Sequence, residues 1–213
     1  LFRNNGDGTF TDVAVSAGMT DAVISWGVAW ADYDNNGYED CFVAVSGQST
    51  SCLLYKNNGN GTFTNVTNQA GLGGLVQLSG AWADYDNDAD LDLLIPSVFD
   101  LNSFSFRTAL MRNDGVNGTG GFNFTEVDSL FEPSRHVSSM WADFDNDTDL
   151  DLLLVNMVPN TEEGFIKRYR NDGNGNFVSE NILDSLTVEH GEAQWGDYDN
   201  DGDLDILVAG NLN

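Results

Sequence analysis

A segment that recurs four times constrains this chain more than any other feature. "WADYDNNGYED" (30–40), "WADYDNDADLD" (82–92), "WADFDNDTDLD" (141–151) and "WGDYDNDGDLD" (195–205) align without gaps. Their first aspartates, Asp32, Asp84, Asp143 and Asp197, lie 52, 59 and 54 residues apart. A second motif alternates with the first, as "LFRNNGDGTFTDV" (1–13) and "LLYKNNGNGTFTNV" (53–66). It returns more loosely in "LMRNDGVNGTGGFNFTEV" (110–127) and "RYRNDGNGNFVSE" (168–180). A period near 50 residues means one supersecondary unit repeated, which narrows the fold to solenoids and propellers.

Within a unit the apolar pattern is that of strands. "SWGVAWA" (25–31) alternates with period two ahead of the first aspartate cluster. Behind the clusters stand short apolar runs, "CFVAVS" (41–46), "LLIPS" (93–97), "LLLVN" (152–156) and "ILVAG" (206–210), which read as inner strands buried on both faces. "LLYKN" and "TFTNV" are two strands joined by Asn-Gly turns, a hairpin signal because both residues tolerate positive φ. Nothing longer than a few residues has helical periodicity, and "NQAGL" (68–72) is at most a turn. Each unit is therefore four antiparallel strands, with the aspartate cluster between the first and second and the Asn-Gly turn between the third and fourth.

The expected fold is all-β: a β-propeller of four-stranded antiparallel blades, four repeat units in all, with one blade split between the N- and C-termini. The single repeat domain 1–213 divides into a half-blade 1–24, blades at about 25–75, 76–135 and 136–187, and a half-blade 188–213. Two geometries satisfy the unpaired strand edges. The half-blades close a ring within one chain, or they pair between copies and build a filament. Consecutive blades taken from a longer propeller are the third reading.

Charge then locates the chemistry. Asp plus Glu number 34 against 8 Lys plus Arg, a formal net charge of −26. Without clustered Lys and Arg, nucleic acid and anionic membrane surfaces are excluded as partners. No run of 18 apolar residues is present to span a bilayer. The four loops 32–40, 84–92, 143–151 and 197–205 hold 19 of the 34 acids, so the remaining surface is close to ordinary.

Side chains at positions 1, 3, 5 and 9 of the loops are Asp32, Asp34, Asn36, Asp40; Asp84, Asp86, Asp88, Asp92; Asp143, Asp145, Asp147, Asp151; and Asp197, Asp199, Asp201, Asp205. Like charges held about 4 Å apart repel by on the order of 4 kcal/mol at an intermediate dielectric, a penalty that a bound dication removes. Oxygen donors without His or Cys select Ca²⁺ over zinc or copper, and Mg²⁺ prefers more water. About four Ca²⁺ are expected, with the backbone carbonyls of Tyr38, Asp90, Asp149 and Asp203 at position 7 as further ligands. The loops open like an EF-hand, but Val43, Ile95, Leu154 and Val208 stand where its position-12 Glu belongs, and the flanks are strands. Gly37 and Gly202 suit a sharp turn at position 6, where Ala89 and Thr148 carry a Cβ. The first loop also substitutes Asn36 for an aspartate, so the fourth is expected to bind tightest.

The alternation of aspartate-loop and Asn-Gly segments resembles the FG-GAP/VCBS repeats, including those of integrin α subunits, over essentially the whole chain. The resemblance implies a β-propeller with one Ca²⁺ in each aspartate loop. It also implies a role outside the cell or at its surface, in adhesion, ligand binding or assembly, with a protein or carbohydrate as ligand. Seven or eight blades are usual in the family, so four units depart from its pattern.

Other residues carry weaker signals. Cys41 and Cys52 flank a turn-like "SGQSTS", and a hairpin disulfide between them would place the chain in an oxidising, extracellular compartment. The opening "LFRNNGDGTF" has neither an initiator Met nor a leader, as in a processed secreted protein or an excerpt of a longer chain. Asn60, Asn65, Asn117 and Asn123 are glycosylation sequons, and a fifth, Asn146, lies inside a metal loop. Trp30, Trp82, Trp141 and Trp195 fit repeated packing positions better than a sugar-stacking platform, the basis of a lectin-like alternative. His136 and His190 are the only histidines, and no nucleophile or phosphate-loop motif accompanies them, so the chain is expected not to be an enzyme.

Overall fold

The computed structural model describes residues 1–20, 24–45, 51–76, 79–100, 105–116, 118, 121–127, 131–132, 135–157, 164–182 and 188–212. The first hairpin is β1 (Phe2–Asn4) and β2 (Phe10–Asp12), followed by one helical turn, α1 (Ala14–Ala17). A four-stranded meander follows: β3 (Ser25–Ala31), β4 (Asp40–Val45), β5 (Leu53–Asn57) and β6 (Phe63–Asn65). The second comprises β7 (Ala81–Ala83), β8 (Asp92–Asp100), β9 (Ser105–Val116) and β10 (Phe122–Val127). The third comprises β11 (Arg135–Ala142), β12 (Asp151–Met157), β13 (Gly164–Asn171) and β14 (Phe177–Asn181). A last hairpin, β15 (Val188–Gly196) and β16 (Asp205–Leu212), completes the described chain. Every pairing is antiparallel, and the two hairpins β1–β2 and β15–β16 are separate two-stranded sheets.

Alternation along the second strand of each sheet explains its continuous apolar run. Phe42 and Ala44 point into a cluster shared with Leu93, Ile95 and Met111 of the next sheet. Leu94 and Leu110 point the other way, against Leu152 and Leu154. Leu153 and Val155 in turn meet Ala193, with Ile206 and Val208 packed alongside. Each central strand thus buries both faces, and burying one such side chain contributes about 1.5–3 kcal/mol. The one interruption is Pro96, which β8 absorbs in a register shift between Ile95 and Val98, with Ser97 at φ 60.

The expected Cys41–Cys52 disulfide is not formed, and both cysteines are buried. Register gives the reason. Cys41 lies opposite Tyr55, and Val43 opposite Leu53, so Cys52 falls three residues along its strand from Cys41's partner. An odd offset turns it to the opposite face, beyond the Cα separation a disulfide allows. Cys52 packs in the cluster facing the second sheet, while Cys41 lines a hollow with Leu1, Trp30 and Tyr55 on the other side. Burial, and secondarily the neighbouring Asp40, pushes the Cys41 thiol up to about 11.

Candidate metal centres

Each aspartate loop folds on its own backbone before any ion is considered. Asp32 Oδ1 and Oδ2 accept from Asn36 N (2.9 Å) and Gly37 N (2.7 Å). Asp84, Asp143 and Asp197 repeat this pair of bonds at 3.0–3.1 Å. The position-5 side chains Asn36, Asp88, Asp147 and Asp201 accept from the position-7 amide at 2.9–3.0 Å. Two residues per loop take positive φ to allow this. Position 4 is always asparagine (Asn35, Asn87, Asn146, Asn200; φ 54–60), a residue suited to the left-handed region. Position 6 reaches φ 87 and 95 at Gly37 and Gly202, and 72 and 79 at Ala89 and Thr148, whose Cβ atoms make the turn strained.

The fold draws together positions 1, 3 and 9. Asp32, Asp34 and Asp40 each offer a carboxylate oxygen within 4.8 Å of the others, as do Asp84, Asp86, Asp92; Asp143, Asp145, Asp151; and Asp197, Asp199, Asp205. Of the position-5 side chains, Asp88, Asp147 and Asp201 lie outside these groupings, each accepting from the position-7 amide of its own loop. Asp34 Oδ1, Asp40 Oδ2 and Asp86 Oδ1 are buried without a hydrogen-bond donor. Burying a carboxylate oxygen without a partner is costly; two of these oxygens fall in loop one and one in loop two, each beside further carboxylates that a hard cation would satisfy. The residues therefore fit a divalent ion. Electrostatics agree: burial first, then neighbouring carboxylates, push Asp40 and Asp92 up to about 7 and Asp151 to about 6, against backbone hydrogen bonds that pull down. Asp86 and Asp145 are raised for the same leading reason. Loop one differs in that Lys56 forms an ion pair with Asp34.

Two sets of asparagines that sequence reasoning passed over tie the loops into the fold. Asn57, Asn113 and Asn171 precede the Asn-Gly turns, and their amides donate to Asp40, Asp92 and Asp151 Oδ1 at 2.6–2.7 Å. Asn113 and Asn171 also donate through Nδ2 to the Tyr33 and Tyr85 carbonyls of the preceding loop, at 2.9 and 2.6 Å. At position 4, Asn35, Asn87 and Asn146 reach the position-7 carboxylates of the following loop, Asp90, Asp149 and Asp203, at 3.0, 2.8 and 3.4 Å. Position 7 thus uses its side chain for a contact between units. Both sets recur at fixed positions in the repeat, and that recurrence was the available signal.

The aromatics beside the first and third loops pack between sheets. Tyr33 stacks on Trp82 (6.0 Å, 9°) and Phe144 on Trp195 (6.0 Å, 16°). Of the sequons, Asn60 and Asn65 are exposed, Asn123 is half-buried on β10, and Asn117 lies outside the described residues. The side chains of His136 and His190 also lie outside them. No helix among the described residues is long and apolar enough to cross a membrane.

Comparison with known proteins follows the same repeat. The pattern of the FG-GAP-like repeat matches residues 1–43, 35–95 and 155–208. The chain is 30% identical over 158 residues to human cartilage acidic protein 1, covering 72% of this chain and 24% of that protein. It is 25% identical over 207 residues to the Xenopus tropicalis protein of the same name, covering 93% and 31%. The chain therefore spans about a quarter to a third of the length of these relatives. With the repeat pattern matched over most of its length, the chain belongs to the family of FG-GAP-like repeat proteins.

Proposed function

We propose that the chain is an extracellular, Ca²⁺-binding β-propeller module, non-catalytic, that serves adhesion, ligand binding or assembly. The observation that carries the reading is the fourfold convergence of three carboxylates at positions 1, 3 and 9, several with buried oxygens that meet no donor. Three meandering four-stranded sheets packed face against face support the propeller architecture. The family membership and the cartilage-named relatives support the extracellular setting. The ions neutralise loops whose carboxylates otherwise repel, so binding is coupled to folding.

Titration calorimetry tests the site order. Loop four, with Gly202 and a full aspartate set, binds tightest; loop one, with Asn36 and the Lys56–Asp34 pair, binds weakest. Asp201→Ala, which removes a carboxylate charge beside that site and the bond that shapes the loop, then weakens the highest-affinity step, while Asn36→Ala changes affinity by less than about threefold, below ~0.7 kcal/mol. Equal losses from the two variants would overturn the ranking.

A pH dependence of opposite sign in the two ion states follows. Asp40 and Asp92 sit near 7 in the cation-free fold against 3.8 ordinarily, so that fold holds protons which the unfolded chain releases. Their destabilising effect is absent below the ordinary value and complete once pH has risen through about 7. In EDTA, melting temperature therefore rises as pH falls from about 8 to about 5. The increment that Ca²⁺ adds shrinks over the same range, because the ion competes with those protons. A Ca²⁺ increment that grows on acidification would refute the assignment of these carboxylates as ligands.

A further inference from the structure

Loop one lacks two carboxylates that the other loops share. Its positions 5 and 7 carry Asn36 and Tyr38, where the others carry Asp88 and Asp90, Asp147 and Asp149, and Asp201 and Asp203. The loop is fastened instead by contacts from its own sheet. Tyr38 lays its ring on the turn between β5 and β6, so that a Cβ added at Gly59 would stand 2.6 Å from Tyr38 Cε2. In the third sheet the Asp149 carboxylate holds the matching place, 2.4 Å from a Cβ added at Gly173.

Lys56 makes the second such contact. It precedes Asn57 on β5, the place that Arg112 and Arg170 hold before Asn113 and Asn171. Its ammonium forms an ion pair with Asp34 Oδ2. The Asp34 side chain is 1% exposed and that of Lys56 37%, so a flexible apolar stem carries a point charge inward to a buried carboxylate. Among the described residues no other ion pair engages a converging loop carboxylate. Arg112 binds Asp114 on its own strand instead, through Nε at 2.9 Å and Nη2 at 2.7 Å. Lys56 also has a second seat. Its Nζ lies 5.9 Å from the centre of the Phe122 ring, beside a hollow of about 170 Å³ that Tyr33, Gln69 and Gly121 help to line. A ring face attracts an ammonium, so the charge can leave Asp34 and keep a partner.

We propose that Lys56 is a tethered counter-ion that grades loop one: it holds Asp34 while the loop is empty and gives way toward Phe122 when Ca²⁺ enters. Two effects then weaken Ca²⁺ binding at this loop. The ammonium already offsets part of the carboxylate repulsion that an ion would relieve, and Ca²⁺ has to expel a charge of its own sign. The proposal rests on the Ca²⁺ reading above and adds the residue that sets one site apart from the other three.

Ca²⁺ titration calorimetry on the full chain, paired with melting in EDTA, tests it. Lys56→Met keeps the stem and removes the charge. The weakest binding step gains about tenfold in affinity, while the melting temperature in EDTA falls by about 2–4 °C. Lys56→Gln, equally neutral, repeats both shifts and stands in should the Met variant fold poorly. Adding Asp34→Asn abolishes the gain, which places it in loop one. Arg112→Met, at the same place in the next unit, leaves every step within about threefold of the parent. A lysine with only a structural role lowers the melting temperature equally in Ca²⁺ and in EDTA and leaves the affinities alone. That result overturns the proposal, as does an equal gain from Arg112→Met. The steps of loops two to four keep the readings separable. If they are present and neither neutral variant moves the weakest step, the role of Lys56 fails and the metal sites stand; a parent chain that takes up no Ca²⁺ sinks both.

Discussion

Chelation with EDTA lowers the melting temperature of this chain by roughly 20 °C, the largest effect expected of any single treatment. The unfolded chain has no preformed site, so each occupied loop stabilises the fold by about 2.7 kcal/mol when free Ca²⁺ is a hundredfold above its dissociation constant. Loops two to four, with loop one left out as the weakest, contribute about 8 kcal/mol, and a chain of this length shifts by about 2–4 °C per kcal/mol. Part of the stabilisation is relief of repulsion. In the cation-free loops Asp34 and Asp40 are buried together, and Asp40 is driven up to about 7 by that environment. Differential scanning calorimetry with and without EDTA reads the shift, and Ca²⁺ but not Mg²⁺ restores the upper transition. A melting temperature unmoved by EDTA would leave the aspartate loops as acidic turns without a resident ion.

Much of this architecture is legible in the sequence because the repeat supplies its own alignment. Strand type followed from period-two alternation before the loops and from continuous apolar runs after them, and the observed clusters give the cause: Leu153 and Leu154 on β12 are both fully buried against opposite neighbours. The cysteines show where local reading stops. A spacing of eleven positions and a turn between Cys41 and Cys52 suggest a hairpin pair, but pairing is decided by strand register. The aspartate loops divide along the same line. That positions 1, 3 and 9 converge was readable from the spacing, because loop closure is local, whereas the position-5 carboxylates expected beside them, Asp88, Asp147 and Asp201, lie outside the groupings. That Asp90 and Asp149 clasp asparagines of the preceding loops was not, because it depends on how successive sheets stack.

Asn171→Ala is the substitution in which that stacking is most exposed to test, and about 3 kcal/mol of stability is expected to be lost. The side chain is fully buried. Its Nδ2 donates to the Tyr85 carbonyl of the preceding unit and to the Leu150 carbonyl of its own loop, and its Oδ1 accepts from Gly173 N at 3.2 Å. Alanine leaves these three backbone groups without their partner, the Tyr85 carbonyl in a buried contact and the other two in half-buried ones. At about 2–4 °C per kcal/mol the melting temperature falls by roughly 6–12 °C. Two features separate this from an ordinary core truncation. Asn171 N still donates to Asp151 Oδ1 through the backbone, so the third loop keeps its ligand geometry and its Ca²⁺ affinity. Asn57→Ala, in a unit where Nδ2 reaches only its own loop through Glu39 O and where the site is half exposed, costs much less. Equal losses from Asn57→Ala and Asn171→Ala would mean that the bond to Tyr85 contributes nothing, and that apolar packing alone holds successive units together.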